Sequence, residues 1–142
     1  MASIDYTRLT SDLQQWAAEL GFHQLGVAGV ELADDERHLL NWLDAGRHGE
    51  MDYMARHGSK RSRPDELLPG TLRVISVRMD YLPEGARDGW DVLADPDSAY
   101  VARYALGRDY HKLMRNRLQK LAERIAAEDR PFGYRAFVDS AP

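Results

Sequence analysis

The sequence predicts a compact α+β fold in which a small sheet of about four strands is flanked by helices. Three observations lead there. Two long segments, residues 6–20 and 110–127, repeat apolar side chains at helical spacing, and short β-branched runs interleave with them. The first such run, Leu25-Gly26-Val27-Ala28-Gly29-Val30, offers only Gly-x-x-Gly and has neither the glycine spacing of a dinucleotide fold nor the Gly-Lys-Ser/Thr of a P-loop. With 142 residues, 44% of them hydrophobic and 30% charged, the chain has the size of one ordinary domain and can close a core, so residues 1–142 are read as a single domain.

Each element has its own signal. Leu9, Leu13, Trp16, Ala17 and Leu20 set the inner stripe of a first helix that Gly21 stops. Residues 24–30 read as a strand. Leu39, Leu40, Trp42 and Leu43 mark a second helix over residues 33–44, closed by Gly46. A short helix is expected over residues 50–56, with Met51, Tyr53 and Met54 turned inward. Residues 59–70 carry Pro64 and the Pro69-Gly70 turn and read as a loop with one helical turn. Val74, Ile75, Val77 and Met79 give the clearest strand, expected to be central, over residues 72–81. Residues 84–98, rich in Gly, Asp and Pro, read as an excursion or lid. A further strand is expected over residues 99–106, then a turn at Gly107 and an N-cap at Asp109. In the last helix Met114, Leu118, Leu121 and Ile125 face inward, while Arg117, Lys120 and Arg124 are expected to line the opposite flank.

Composition removes several function classes. There is no cysteine, so this chain supplies no disulfide, no thiolate nucleophile and no iron–sulfur ligand of the usual kind. The apolar runs are short and the N-terminus lacks the basic and apolar regions of a secretory signal, so no membrane partner and a cytoplasmic location are expected. His23, His38, His48, His57 and His111 show no zinc spacing and read as surface or capping residues. No Gly-x-Ser-x-Gly elbow occurs. Asp109-Tyr110-His111 approaches an Asp-x-His-x-x-Gly cobalamin-ligand motif, but the glycine is absent and the pair opens a helix, so that match fails. Charge is segregated: Arg56, Lys60, Arg61 and Arg63 carry +4 with no acid among them, and residues 103–124 carry +5, against a net charge of −4 for the whole chain. Such clusters form one positive surface if they meet in space, or solvated faces if they do not.

Near the end of the chain Ala136 and Val138 alternate with Phe137 and Asp139, a pattern for a short strand that delivers a carboxylate at its C-terminal end. On the residues alone, Asp139 followed by Ser140 fits a strand stop or Asx-turn as well as a site.

Four further stretches occur in order: Gly49-Glu50-Met51-Asp52-Tyr53-Met54; Lys60-Arg61 through Pro64 to Leu67-Leu68-Pro69; Ala105-Leu106-Gly107-Arg108-Asp109-Tyr110-His111; and Val138-Asp139-Ser140-Ala141-Pro142. Together they resemble the N-terminal part of the epoxyqueuosine reductase family, over nearly all of this chain but less than half of a typical member. The resemblance implies an oxidoreductase of tRNA modification that reduces epoxyqueuosine to queuosine at the anticodon wobble position. It further implies cobalamin bound without a protein axial ligand, and electrons from 4Fe–4S clusters. Asp139 matches the family's proton donor, and Arg61 and Ala102 match cofactor-binding positions, with Asp139 also against the cofactor. An ordinary Asp is ionised at neutral pH, so a proton donor here requires burial against the corrin or neighbouring negative charge to raise its pKa.

This chain departs from the family pattern in one respect. The cysteine runs that hold the clusters have no counterpart in it, so the cluster-bearing ferredoxin-like region is absent from the sequence and turnover by this chain alone is not expected. A strand ending without its continuation is expected to favour self-association through an unpaired edge. The alternative reading is a cofactor-free RNA-binding module that contacts phosphates through the basic helix.

Overall fold

A computed structural model describes residues 5–82, 84–128 and 132–138. Six helices and one small sheet follow in the order α1 (Tyr6–Glu19), β1 (Gln24–Ala28), α2 (Ala33–Asp44), α3 (Tyr53–Arg56), α4 (Pro64–Leu67), β2 (Val74–Arg78), α5 (Gly89–Ala94) and α6 (Tyr110–Glu128). Single 3-10 turns occupy Gly58–Arg61 and Arg103–Ala105. The architecture is α+β, but the sheet has two antiparallel strands among the described residues. Gln24 pairs with Arg78, Gly26 with Ser76 and Ala28 with Val74. The strand expected over residues 99–106 is an irregular segment around a 3-10 turn, and residues 132–138 form no ladder, so β2 is not a central strand.

The core sits between the first and last helices. Leu13 and Ala17, one turn apart on α1, are buried with Phe22 behind the Gly21 stop, and Leu121 and Ala122 of α6 close over them. Val138 adds the remaining buried apolar side chain among the described residues. The N-cap of α1 is Asp5, whose carboxylate accepts from the backbone N–H groups of Thr7 and Arg8 at 3.0 and 3.1 Å. At the other end Gly21 takes φ 80°, a left-handed value open to glycine, and turns the chain into β1.

Two of the three cations expected on the free flank of α6 instead bind α1 and its exit loop. Arg117 donates from Nη1 to the Gly21 carbonyl at 3.1 Å and to the Met79 sulfur at 3.0 Å. Arg124 pairs with Glu19 at 2.5 Å. The seven-residue offset between Arg117 and Arg124 puts both beside the α1 contact, on the edge of the apolar stripe, and Lys120 alone of the three remains exposed. Met51 and Tyr53, expected inside, are 41% and 51% exposed, and only Met54 of that trio is half-buried. The short α3 has too little length to present a full inward stripe.

Leu121→Ala should lower the unfolding free energy by about 2–5 kcal/mol, toward the lower end because its site adjoins an open cleft that can relax. Leu72→Ala, at a side chain 74% exposed, should stay within about 0.5 kcal/mol. Urea midpoints at matched slope distinguish the two.

Candidate functional site

The loop between α3 and β2 is held to α2 by ion pairs. Arg63 grips Glu36 with a bidentate fork, Nε and Nη2 each donating at 2.8 Å, and gives Nη1 to Glu66 at 2.9 Å. Ser62, buried, donates to the same Glu36 carboxylate at 2.7 Å, and Ser59 donates to Glu66 at 2.5 Å. The hydrogen bonds from Arg63 and Ser62 draw the Glu36 carboxyl down to about 2. Pro64 opens α4 directly behind this cluster, where its missing N–H costs nothing.

Arg61 stands on this braced turn. Its Nη2 donates to the Tyr53 carbonyl at 2.7 Å and its guanidinium lies 5.8 Å from the Tyr53 ring centroid. Its Nε is buried without a hydrogen-bond partner among the described residues. Ala102 is exposed and extended, at φ −55° and ψ 133°, just ahead of the Arg103–Ala105 turn. No hydrogen bond among the described residues links Arg61 to Ala102. Asp139 lies outside the described residues.

The main cavity, of about 860 Å³, is mostly apolar and opens between three walls. Residues 73–77 of and before β2 form one, Met114, Leu118, Leu121 and Ile125 of α6 the second, and residues 132–138 the third. Val138, the neighbour of Asp139 in sequence, is buried in its lining. Neither Arg61 nor Ala102 lines it. Arg61 and Ala102 thus stand away from this cavity.

Sequence reasoning missed two features. One is the Glu36–Arg63–Glu66 brace, whose Arg63 and Glu66 stand three apart, while its Glu36 partner lies on a helix far away in sequence. The other is a row of rings. Tyr81 and Tyr104 meet edge-on at 6.5 Å, Tyr104 and Tyr110 at 6.4 Å, and Tyr110 stacks on His111 at 4.1 Å. Asp109 accepts from the His111 backbone N–H at 3.0 Å, the capping role the sequence suggested, and its carboxylate also meets the His111 ring nitrogen at 3.0 Å. That contact holds its carboxyl below the usual carboxylate range. Residues 84–98, read as a lid, contain α5, and Arg87 closes this excursion by pairing with Asp95 at 3.2 Å. Among the described residues no group of three or more His, Asp or Glu side chains is placed to hold a metal ion, and no helix is long and apolar enough to cross a membrane.

Comparison with known proteins gives the class. The model of the family described as "Epoxyqueuosine reductase QueG, DUF1730" matches residues 61–140, more than half of the chain, and the chain belongs to that family. Among curated relatives, proteins named epoxyqueuosine reductase are similar throughout. The one from Pseudomonas aeruginosa is 67% identical over 97% of this chain and 38% of its own length. The Xanthomonas campestris relative is 61% identical over 100% of this chain and 40% of its own length. The Escherichia coli relative is 55% identical over 98% and 36%. The chain thus spans well under half the length of these relatives. No solved structure matches it.

The low Glu36 pKa sets a pH dependence. A carboxyl depressed in the folded state contributes stability that is present above its unfolded pKa, near 4.5, and lost as pH falls toward about 2. Glu36→Gln should therefore lower the urea midpoint by a constant amount above about pH 5, and the gap to the parent should close as pH approaches 2.

Proposed function

We propose that this chain is the cofactor- and substrate-holding part of an epoxyqueuosine reductase, acting in the cytoplasm on epoxyqueuosine in the wobble position of tRNA. The observation that carries this reading is the family match itself, whose span of residues 61–140 includes Arg61, Ala102 and Asp139 together. Removing the oxygen of an epoxide to leave the alkene takes two electrons and two protons and releases water. The chain must therefore bind the ring, bring a reductant to it and supply a proton to the departing oxygen.

Arg61 fits a role in holding cobalamin, since its guanidinium is held in place at the Tyr53 carbonyl and the corrin periphery carries amide carbonyls and a phosphate that a guanidinium can grip. Ala102 fits a contact where a flat macrocycle comes close, because its methyl group is exposed and small. When bound, cobalamin supplies low-valent cobalt as the reductant. Iron–sulfur clusters that would keep it reduced find no thiolate ligand in this chain. In this reading Asp139 gives the proton to the epoxide oxygen as the C–O bond breaks, a role that requires its carboxyl to keep a proton near neutral pH. Because the clusters come from elsewhere, turnover requires the longer polypeptide that the relatives possess.

In a complete family member carrying this sequence as its N-terminal part, Asp139→Asn should reduce epoxide reduction by about 10²- to 10⁴-fold while cobalamin absorbance stays unchanged. Full activity in that variant, measured by conversion of epoxyqueuosine to queuosine in RNA, removes Asp139 from the mechanism.

A further inference from the structure

The geometry points to the exposed rings of Tyr81 and Tyr104, backed by Tyr110, as the surface that receives unpaired bases of an RNA loop, with the cations around it taking the phosphates. This deepens the proposed function and rests on its reading that the substrate nucleoside is carried by RNA.

The row is built from three separate segments: the chain after β2, the Arg103–Ala105 turn and the start of α6. Such an assembly of rings is unusual on a surface that buries little. Tyr81 is 63% exposed and Tyr104 57%, although each already touches another ring. Tyr110, half-buried and stacked on His111, backs the row, while the edge-on contacts leave much of the Tyr81 and Tyr104 rings uncovered, and an uncovered aromatic face is what a base stacks upon without regard to its identity.

Charge selects the occupant. Arg103, Arg108, Lys112 and Arg115 lie in the same stretch, and the last three are exposed. Lys112 and Arg115 stand three apart, so this side of the first turns of α6 is cationic next to the rings. The two acids in these segments are already paired, Asp80 with Arg78 at 3.3 Å and Asp109 with the His111 ring at 3.0 Å. None of Arg103, Arg108 and Arg115 forms an ion pair among the described residues. A row of exposed rings bordered by unpaired cations suits a polyanion whose bases are out of the stack. A purely apolar partner would leave the cations unmatched, and a paired duplex would hide the bases.

The test is fluorescence anisotropy of this chain with a labelled synthetic RNA hairpin carrying an unpaired loop, set against a blunt duplex of the same stem. The hairpin should bind more tightly. Tyr104→Ala should weaken hairpin binding about tenfold or more and leave the duplex unaffected, while Tyr104→Phe, which keeps the ring, stays within about twofold. Tyr81→Ala should act in the same direction, and Arg115→Gln should reduce the salt dependence of binding by about one unit of slope. Circular dichroism confirms that each variant is folded; if Tyr104→Ala is not, Tyr81→Ala carries the comparison. Equal binding of hairpin and duplex, absence of hairpin binding, or folded Tyr104→Ala and Tyr81→Ala variants that bind like the parent each overturn the proposal. A complete enzyme that reduces epoxyqueuosine while hairpin binding ignores the rings overturns this surface and leaves the reductase reading standing. Ring-dependent hairpin binding without any reduction does the reverse.

Discussion

Arg117 is the side chain on which the arrangement of this fold depends. From the middle of α6 it reaches the carbonyl that ends α1 and the sulfur that follows β2, so one guanidinium ties together the first helix, the sheet and the last helix. The approach is close enough that a Cβ on Gly21 would come within 2.7 Å of Arg117 Nη1. Glycine is needed there for its positive φ, and a side chain would also push the end of Arg117 off the Gly21 carbonyl. The apolar core beneath the tie is small, with no large side chain fully buried among the described residues. A few directional contacts therefore matter more than they would in a thicker domain.

A second braced unit lies away from that core. The Glu36–Arg63–Glu66 cluster fixes residues 59–66 against α2, and Arg61 projects from the same turn toward Tyr53. An arginine that is to grip a rigid ligand must not lose its ordering entropy anew at each binding event, and the neighbouring ion pairs provide that order in advance. The apolar cavity between β2, α6 and residues 132–138 forms a third region. Between these parts run the segments whose rings and cations remain open to solvent.

Local signals in the sequence located most of the helices. The stripe from Leu9 to Leu20 with its Gly21 stop, the Gly46 closure after α2 and Asp109 ahead of α6 all act within a turn of the residues concerned, and the structure follows them. The strands were harder. Residues 99–106 have the apolar content of a strand, but pairing needs a partner with a free edge, and such partners are set by tertiary arrangement. The α6 cations were misjudged for a similar reason: helical spacing tells which side chains share a face, and only the position of α1 tells what that face meets. For the site, Arg61 and Asp139 became visible through family resemblance, since neither burial nor geometry can be read from a lone Arg or Asp. The aromatic row escaped because its members come from segments with no common periodicity.

The central claim is that Arg61 and its braced turn hold a corrin. Its most direct measurement is an absorbance titration of cobalamin with a complete family member bearing this sequence, compared with its Arg61→Ala variant. The account predicts a saturable shift of the corrin bands that the variant weakens about tenfold or more, as expected for loss of a charge-assisted hydrogen bond. Corrin bands that do not respond to the folded protein, or an Arg61→Ala variant that binds as tightly as the parent, would contradict it.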